Sequence, residues 1–196
     1  MSGRENILNA VAKNKPAFIA LPEMVIDRSA TNDGNLVDRF TNTLESIGGK
    51  AIVVDGFEAI KNAISQAGTA GEWIVNTIAE AGQTDPQINS ELDAPSMEKV
   101  FIAYIKGTVA VAENGAIWVT ESQAVNRLLP FICQHLVLVI NASDIVPTLH
   151  EAYKQIDIAE EGYGVFIAGP SKTADIEQAL VIGAHGARSL TVYLIT

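Results

Sequence analysis

The stretch that decides the fold is residues 165–195, VFIAGPSKTADIEQALVIGAHGARSLTVYLI. The short apolar run Val165–Ala168 is typical of a buried strand, and a second strand pattern follows at Leu190–Ile195. Between them, a polar turn leads into a helical pattern that begins between Ser171 and Asp175. The order strand, helix, strand predicts that both strands lie in one largely parallel sheet and are joined by a right-handed crossover.

The turn after the first strand carries the groups of an anion site. In an open α/β sheet, ligands bind beyond the carboxyl ends of strands, and amides at the start of a helix attract negative charge. The turn adds two hydroxyls and a lysine to amides that are predicted to be free. The predicted ligand-binding residues of the turn are Gly169, Ser171, Lys172, Thr173 and Asp175. The alternative is that Ser171 and Thr173 only cap the helix, and their spacing leaves both interpretations open.

Composition limits the class of protein and its partners. The chain has 196 residues, 48% of them hydrophobic, with a formal net charge of −10 and a pI near 4.7. The length fits one α/β domain over residues 1–196, with residues 1–35 as an N-terminal helix and arm. The negative charge disfavours nucleic acid and anionic membranes, and it leaves a small molecule or a protein, including a second copy, as the expected partner. A membrane-spanning run and a secretory signal are not found, so a cytoplasmic location is expected.

The cysteine and histidine content argues against a metal or cluster in this chain. Cys133 is the single cysteine, which is too few for an iron–sulfur cluster, and it lies in the apolar stretch LLPFIC, which predicts a core position. His135, His150 and His185 show no metal-ligand spacing. We therefore predict no metal and no cofactor held by this chain.

Apolar periodicity predicts the remaining elements. In order, they are a helix at 36–47, a strand at 51–55, a helix at 57–67, a strand at 73–75, two or three strands within 100–121, a strand at 135–140, and a helix that begins at Ser143 or Asp144 with Pro147 in its first turn. This alternation predicts an α/β fold.

Three segments together carry a family pattern. They are GTVAVAENGAIWV at 107–119, RLLPFICQHLVLVINASDIV at 127–146 and GPSKTADIEQALVIGAHGARSLTVYLI at 169–195. They resemble the lactate utilisation, or LUD, domain family, in particular its LutC-type members. The resemblance implies a fold related to NagB, ribose-5-phosphate isomerase and the CoA-transferases, which is a three-layer α/β/α sandwich with a mainly parallel sheet. It also implies a role beside iron–sulfur partner proteins in the oxidation of lactate to pyruvate.

The resemblance singles out a set of residues in this chain. They are Gly107, Thr108, Glu113, Gly115, Arg127, Leu129 with Pro130, His135, the run 169–177, and His185 with Gly186. Thr108 and Arg127 are the members of this set expected to bind the ligand together with the turn. The chain departs from the pattern at Glu113-Asn114-Gly115, where many relatives have Glu-Thr-Gly, and at His185-Gly186-Ala187, where many have His-Gly-Pro.

Glu113 has two interpretations. The segment Ala112–Gly115 is also similar to the Glu-Asn-Gly segment of CoA-transferases, in which the glutamate attacks an acyl-CoA thioester. The alternative is a hairpin turn, because Asn-Gly is a strong turn signal and apolar strand patterns flank it. The turn is favoured for Asn114-Gly115, whereas Glu113 interrupts an apolar run and is expected to be paired or to reach a cleft.

Arg127 and His185 also have two interpretations each. Arg127 can bind a carboxylate or phosphate through two N–H groups, or it can form an ion pair with Glu113 or Glu121. His185 is a candidate acid–base group, or it complements the end of a helix. The candidate catalytic residues are therefore Glu113 and His185. We predict one anionic-ligand site, with residues 171–173 on one wall, Arg127 on the other and Glu113 nearby.

Three functions remain open from the sequence. The first is a LutC-type protein that binds a small anionic ligand and works with iron–sulfur redox partners in lactate oxidation. The second is an enzyme of CoA-transferase or sugar-phosphate isomerase type that uses Glu113. The third is a structural subunit without a ligand. The sequence leaves open whether the ligand is a CoA or phosphate compound and whether the chain catalyses a reaction.

Overall fold

The structure is a computed structural model that describes residues 2–20, 35–68, 71–173 and 181–196. It consists of two units, which are described separately below.

The first unit, residues 1–33, contains helix α1, Gly3–Lys13. The helix begins with a reciprocal cap, in which the Ser2 hydroxyl accepts the Glu5 amide and the Glu5 carboxylate accepts the Ser2 amide. The cap satisfies two amides that the start of a helix leaves unpaired. The helix lies within the predicted N-terminal helix and arm, of which residues 21–34 fall outside the described residues.

The second unit, residues 34–196, alternates helices and strands. Its helices are α2 Leu36–Ser46, α3 Glu58–Gly68, α4 Ala94–Met97, α5 Glu121–Ala124, α6 Leu129–Ile132, α7 Leu149–Tyr153 and α8 Ile158–Glu161. Its strands are β1 Lys50–Val54, β2 Trp73–Asn76, β3 Val100–Lys106, β4 Val109–Val111, β5 Ala116–Thr120, β6 His135–Asn141, β7 Ile145–Val146, β8 Gly164–Ile167 and β9 Ser189–Ile195. Short 3-10 turns occupy Ala79–Ala81 and Ala142–Asp144.

Five strands form a parallel sheet in the order β1-β9-β6-β3-β2. Strands of a parallel sheet are buried on both faces, so they contain runs of Val, Ile and Leu, and β6 with the sequence HLVLVIN is one of these. Helix α3 covers one face, where Ile60 packs in a cluster with Tyr104 and Val139.

Four further strands form a second sheet in the order β7-β4-β5-β8. Strands β4 and β5 form an antiparallel hairpin, β8 runs antiparallel to β5, and β7 runs parallel to β4. The second sheet shares one apolar core with the parallel sheet and α2, which includes Phe40, Ile117 and Leu138. A separate cluster joins α7 to this sheet through Trp118 and Ala152. The predicted α/β class with a mainly parallel sheet is confirmed, and the second sheet is an addition that the sequence pattern did not predict.

The prediction that Val165–Ala168 and Leu190–Ile195 share one sheet is wrong. The first run forms β8 in the four-stranded sheet, whereas the second forms β9 in the parallel sheet. Strand β8 is held by antiparallel pairing with β5, in which Phe166 lies opposite Trp118 with their ring centroids 4.8 Å apart. An apolar run indicates that a strand is buried, but it does not specify the partner strand.

The prediction of a helix that begins at Ser143 or Asp144 is also wrong. That segment forms a 3-10 turn and strand β7, and helix α7 starts only after its N-cap, Thr148. The cause is Pro147, because the residue before a proline is disfavoured in the helical conformation. Val146 therefore stays extended, in β7.

Candidate functional site

A cleft of about 280 Å³ lies beyond the carboxyl end of β8. It is lined by Pro130 and Phe131 of α6, by Leu136 near the start of β6, and by residues 166–172 and 185–187. We call it the Lys172 cleft. Because Leu136 is the second residue of β6, the cleft adjoins the amino end of this parallel strand and not its carboxyl end.

A small antiparallel ladder after β8 builds one part of this cleft. The Ser171 amide donates to Ala187 O and Ser171 O accepts the Gly183 amide, each at 2.9 Å. The Thr173 amide donates to Val181 O at 3.1 Å. The prediction that the turn offers free amides is therefore wrong for Ser171 and Thr173, whose N–H groups are bonded within the ladder.

The helix predicted after this turn falls on residues 174–180, which lie outside the described residues together with the predicted ligand residue Asp175. Thr173 Oγ1 accepts the Val181 amide at 3.1 Å, so this hydroxyl bonds across the ladder. Whether Ser171 and Thr173 also cap a helix stays a prediction.

Two glycines let the ladder approach its neighbours. Gly169 has a φ of +74°, and a Cβ at this position would lie 2.9 Å from Ile47 O. A Cβ on Gly186 would lie 3.1 Å from Ser171 Cβ. Because glycine tolerates the left-handed region and has no side chain, it allows both approaches. The turn can therefore reach the end of α2 without strain.

The Lys172 cleft brings together four of the predicted site residues, Gly169, Ser171, Lys172 and His185. The Lys172 and His185 side chains are exposed. Lys172 forms no ion pair with any residue in the described part of the chain. A lysine without an ion-pair partner among the described residues has N–H donors that can bind a ligand.

Arg127 lines a second cavity, of about 540 Å³, which we call the Arg127 cavity. Its Nε and Nη2 donate to the two carboxylate oxygens of Glu121 at 2.8 and 2.7 Å. The guanidinium also lies 4.8 Å from the centroid of the Tyr163 ring. Hydrogen bonding to Arg127 holds the pKa of Glu121 below its ordinary value. The ion-pair interpretation is thus observed with Glu121, and the structure does not bring Arg127 and Ser171 into one cavity.

The segment before α6 is fixed by the buried side chain of Asn126. Its Nδ2 donates to Asn89 O and Leu92 O at 2.9 and 3.0 Å, and its Oδ1 accepts the Leu128 amide at 2.9 Å. The preceding residue, Val125, has a φ of 64°, which is strained for a β-branched side chain. The Asn126 bonds offset this strain and hold the backbone in place.

Glu113 lies in the exposed turn between β4 and β5. Its Oε2 accepts the Leu149 amide at 3.0 Å, in the first turn of α7. Asn114 Oδ1 accepts the Ala116 amide at 3.1 Å, and Gly115 has a φ of +69°. The turn interpretation of Asn114-Gly115 is confirmed, and Glu113 is paired with the backbone, as an acidic residue in an apolar run should be. Glu113 lines neither cavity, and its role as nucleophile or base stays a prediction.

Two further residues of the family pattern contact other parts of the fold. Thr108 Oγ1 donates to Trp118 O at 3.4 Å across the hairpin. His135 Nδ1 lies 2.7 Å from Ser189 Oγ, and its ring meets the Phe101 ring edge-on with centroids 4.9 Å apart. Neither residue lines the Lys172 cleft.

Cys133 lies in the core, as predicted from the apolar stretch around it. Its Sγ is 3.8 Å from Pro130 O, and burial raises the pKa of the thiol to about 12. A thiol that stays protonated is a poor nucleophile and a poor metal ligand. Within the described ranges, no three His, Cys, Asp or Glu side chains are grouped to hold a metal ion. None of the described helices has the length and apolar character needed to cross a membrane.

The sequence did not reveal the apolar lining of the Lys172 cleft, which comes from α6 and β8. The stretch LLPFIC was interpreted as core, and Leu129 and Cys133 are buried, but Phe131 is 42% exposed. A helix of four residues is too short to give a periodicity that would separate its buried and exposed positions.

Comparison with known proteins links this site to a family. Residues 99–195 match the family model described as LUD domain. All residues that line the Lys172 cleft lie within the matched range.

Curated relatives share the same segment. Lactate utilization protein C of Bacillus pumilus is 33% identical over 95 residues, which are 45% of this chain and 40% of that protein. Lactate utilization protein C of Geobacillus thermodenitrificans is 24% identical over 176 residues, which are 87% of this chain and 72% of that protein. The chain spans about 40% of the length of the first relatives that it matches.

A solved structure shares the fold. The crystal structure of a DUF162 family protein from Deinococcus radiodurans matches with a TM-score of 0.58 at 18% identity, covering 88% of this chain and 100% of that chain.

Proposed function

This chain belongs to the LUD domain family, and from that premise we propose that it acts in lactate utilisation by binding a small organic anion in the Lys172 cleft. The relatives named lactate utilization protein C support the metabolic role. The position of the cleft, wholly within the residues that match the family, supports the choice of site.

The observation that carries the proposal is the presence of Lys172, Ser171 and His185 in one cleft of small-molecule size. An ammonium without a partner among the described residues can bind a carboxylate through a charge-assisted hydrogen bond. The Ser171 hydroxyl and the His185 ring add further donors. At about 280 Å³ the cleft is close to the lower end of the range of ligand pockets, about 300 to 1,000 Å³.

We further propose that the electron-transfer steps of lactate oxidation belong to iron–sulfur partner proteins in the cytoplasm. The supporting observation is the environment of the single cysteine. Cys133 is buried and its pKa is raised to about 12, so it is unsuited to ligate a cluster. In this proposal the chain supplies the binding of the organic acid.

Thermal denaturation and ligand-observed NMR of the purified protein test the proposal. The ligands to compare are lactate, pyruvate, ribose 5-phosphate and acetyl-CoA. We expect lactate or pyruvate to raise the Tm by mass action, because each binds the folded state. Lys172→Met should lose this shift.

Lys61→Met is the matched control. Lys61 is an exposed lysine on α3, which packs against Val137 and Val139, whereas Leu136 lines the cleft from the opposite face of β6. The control should keep the Tm shift. If ribose 5-phosphate or acetyl-CoA raises the Tm while lactate and pyruvate do not, the proposal is wrong and the enzyme hypothesis is favoured.

A further inference from the structure

The lining of the Lys172 cleft is divided between two kinds of side chain. Of the polar groups, Ser171 and Lys172 come from the ladder after β8, and His185 comes from the bend between Gly183 and Ala187. The largest apolar groups, Phe131 and Phe166, come from α6 and β8. A ligand that fills this cleft must therefore combine a charged part with an apolar part.

The cleft is also larger than lactate requires. Its volume of about 280 Å³ is near the lower end of the range for pockets that hold drug-sized ligands, about 300 to 1,000 Å³. A three-carbon acid fills only part of that space. Once its carboxylate binds Lys172, the apolar part of the lining is left without a ligand group to cover it.

Phe131 supplies an uncovered apolar surface at this place. It is 42% exposed, although its neighbours Leu129 and Cys133 are buried in the core. Covering such a ring with an apolar ligand group removes both surfaces from water, which is favourable.

We infer that the Lys172 cleft selects organic acids with an apolar side chain larger than the methyl group of lactate. The expected class is 2-hydroxy or 2-oxo acids with a branched or aromatic side chain. The carboxylate would bind at Lys172, and the side chain would pack against Phe131. The inference rests on the proposed function, because it requires that an organic anion binds at Lys172.

Binding measurements with three probes, lactate, 2-hydroxy-4-methylpentanoate and 3-phenyllactate, test the inference by NMR titration. We expect 3-phenyllactate to bind about ten-fold or more tightly than lactate, as burial of an apolar group predicts. Phe131→Ala should remove most of this preference, so that the Kd values of 3-phenyllactate and lactate become similar. Phe131→Leu keeps an apolar side chain, so it should retain much of the preference. If Phe131→Ala does not fold, this second variant still tests the inference.

Leu128→Ala is the matched control. Leu128 is 41% exposed, three residues before Phe131, and lines the Arg127 cavity instead of the Lys172 cleft. This variant should keep the wild-type preference. If Leu128→Ala and Phe131→Ala lower the affinities equally, the inference is overturned.

The outcomes separate the inference from the proposed function. Equal affinities for lactate and 3-phenyllactate that both depend on Lys172 overturn the inference and leave the proposed function standing. Binding of 3-phenyllactate without lactate, again dependent on Lys172, supports the inference and removes the lactate assignment. Binding of no acid overturns both.

Discussion

The Arg127 cavity and the Lys172 cleft adjoin the same short helix, α6, but their cations have different surroundings. The guanidinium of Arg127 donates to both oxygens of Glu121 and packs on the ring of Tyr163. Lys172 has no ion-pair partner among the residues that the structure describes. The availability of a cation for a ligand is therefore decided by the partners that the fold supplies. We expect substitutions around Arg127 to change stability, and substitutions around Lys172 to change binding.

The largest effect is expected at Cys133, which follows α6 directly and reports whether the helix opens. Because the pKa of its thiol is raised from 9.0 to about 12, alkylation of the folded protein at pH 8 should be about 1,000-fold slower than in denaturant. Iodoacetamide labelling followed by mass spectrometry measures both rates. Rapid labelling of the folded protein would mean that α6 opens. The two cavities beside α6 would then have no fixed lining, and the comparison between them would not hold.

The same thiol predicts a fall in stability at high pH. A raised pKa in the folded state favours folding below the ordinary value of 9.0, and this contribution is lost as the pH rises towards about 12. Wild type should lose stability relative to Cys133→Ala between pH 9 and 11. A constant difference between the two proteins across this range would contradict the raised pKa.

The next effect is the loss of the Asn126 side chain. Asn126→Ala leaves the carbonyls of Asn89 and Leu92 without their donor, which should lower the free energy of unfolding by about 2 to 4 kcal/mol. Urea denaturation measures the change. Ser171→Ala is the control in the Lys172 cleft and should change stability by less than about 0.5 kcal/mol. Similar losses in the two variants would contradict the comparison.

A pair of charge removals tests the comparison directly. Lys172→Met should weaken binding of an organic acid by about 1 to 3 kcal/mol and leave the Tm unchanged. Arg127→Met should lower the Tm and leave the Kd unchanged, because its contacts are internal. Titration gives the Kd of each variant, and thermal denaturation gives its Tm. A loss of affinity in Arg127→Met would mean that both cations serve one ligand.

The smallest effect is the pH dependence of the pair between Arg127 and Glu121. Because the folded-state pKa of Glu121 is lowered, its stabilisation is present above the ordinary pKa and is lost as the pH falls through the lowered value. Glu121→Gln should therefore have a lower Tm than wild type at pH 7, and the two values should converge as the pH falls from 5 to 3. The difference should also shrink in high salt, as expected for an exposed pair. If the difference in Tm between the two proteins did not change with pH, it would not arise from the charge of Glu121.

Local features of the fold were predictable from the sequence. The apolar positions of α2 and its N-cap Asn35 determine where that helix forms, since they act through neighbours within a few turns. The turn at Asn114-Gly115 was predictable for the same reason, because the bonds that hold it lie within the hairpin.

Features that depend on distant partners were not predictable. The sheet to which β8 belongs is decided by its pairing with β5, for example Phe166 with Trp118. The amide of Ser171 is bonded to Ala187, which follows only after the segment predicted to be helical. A local pattern of residues contains no signal for either partner. The structure places Ser171, Lys172 and His185 in one cleft, whereas Arg127, which was predicted to share a site with residues 171–173, lines another cavity.

The place of β9 in the parallel sheet has a consequence for biosynthesis. Strand β1 pairs with β9 and with no other described strand, so that Lys50 lies opposite Thr191. At typical ribosomal rates, the interval between these residues is on the order of ten seconds. During this time, β1 and the apolar face of α2 have no completed sheet to join. The parallel sheet therefore cannot extend to β1 until β9 has been synthesised, and the apolar residues of β1 and α2 remain without this partner until then.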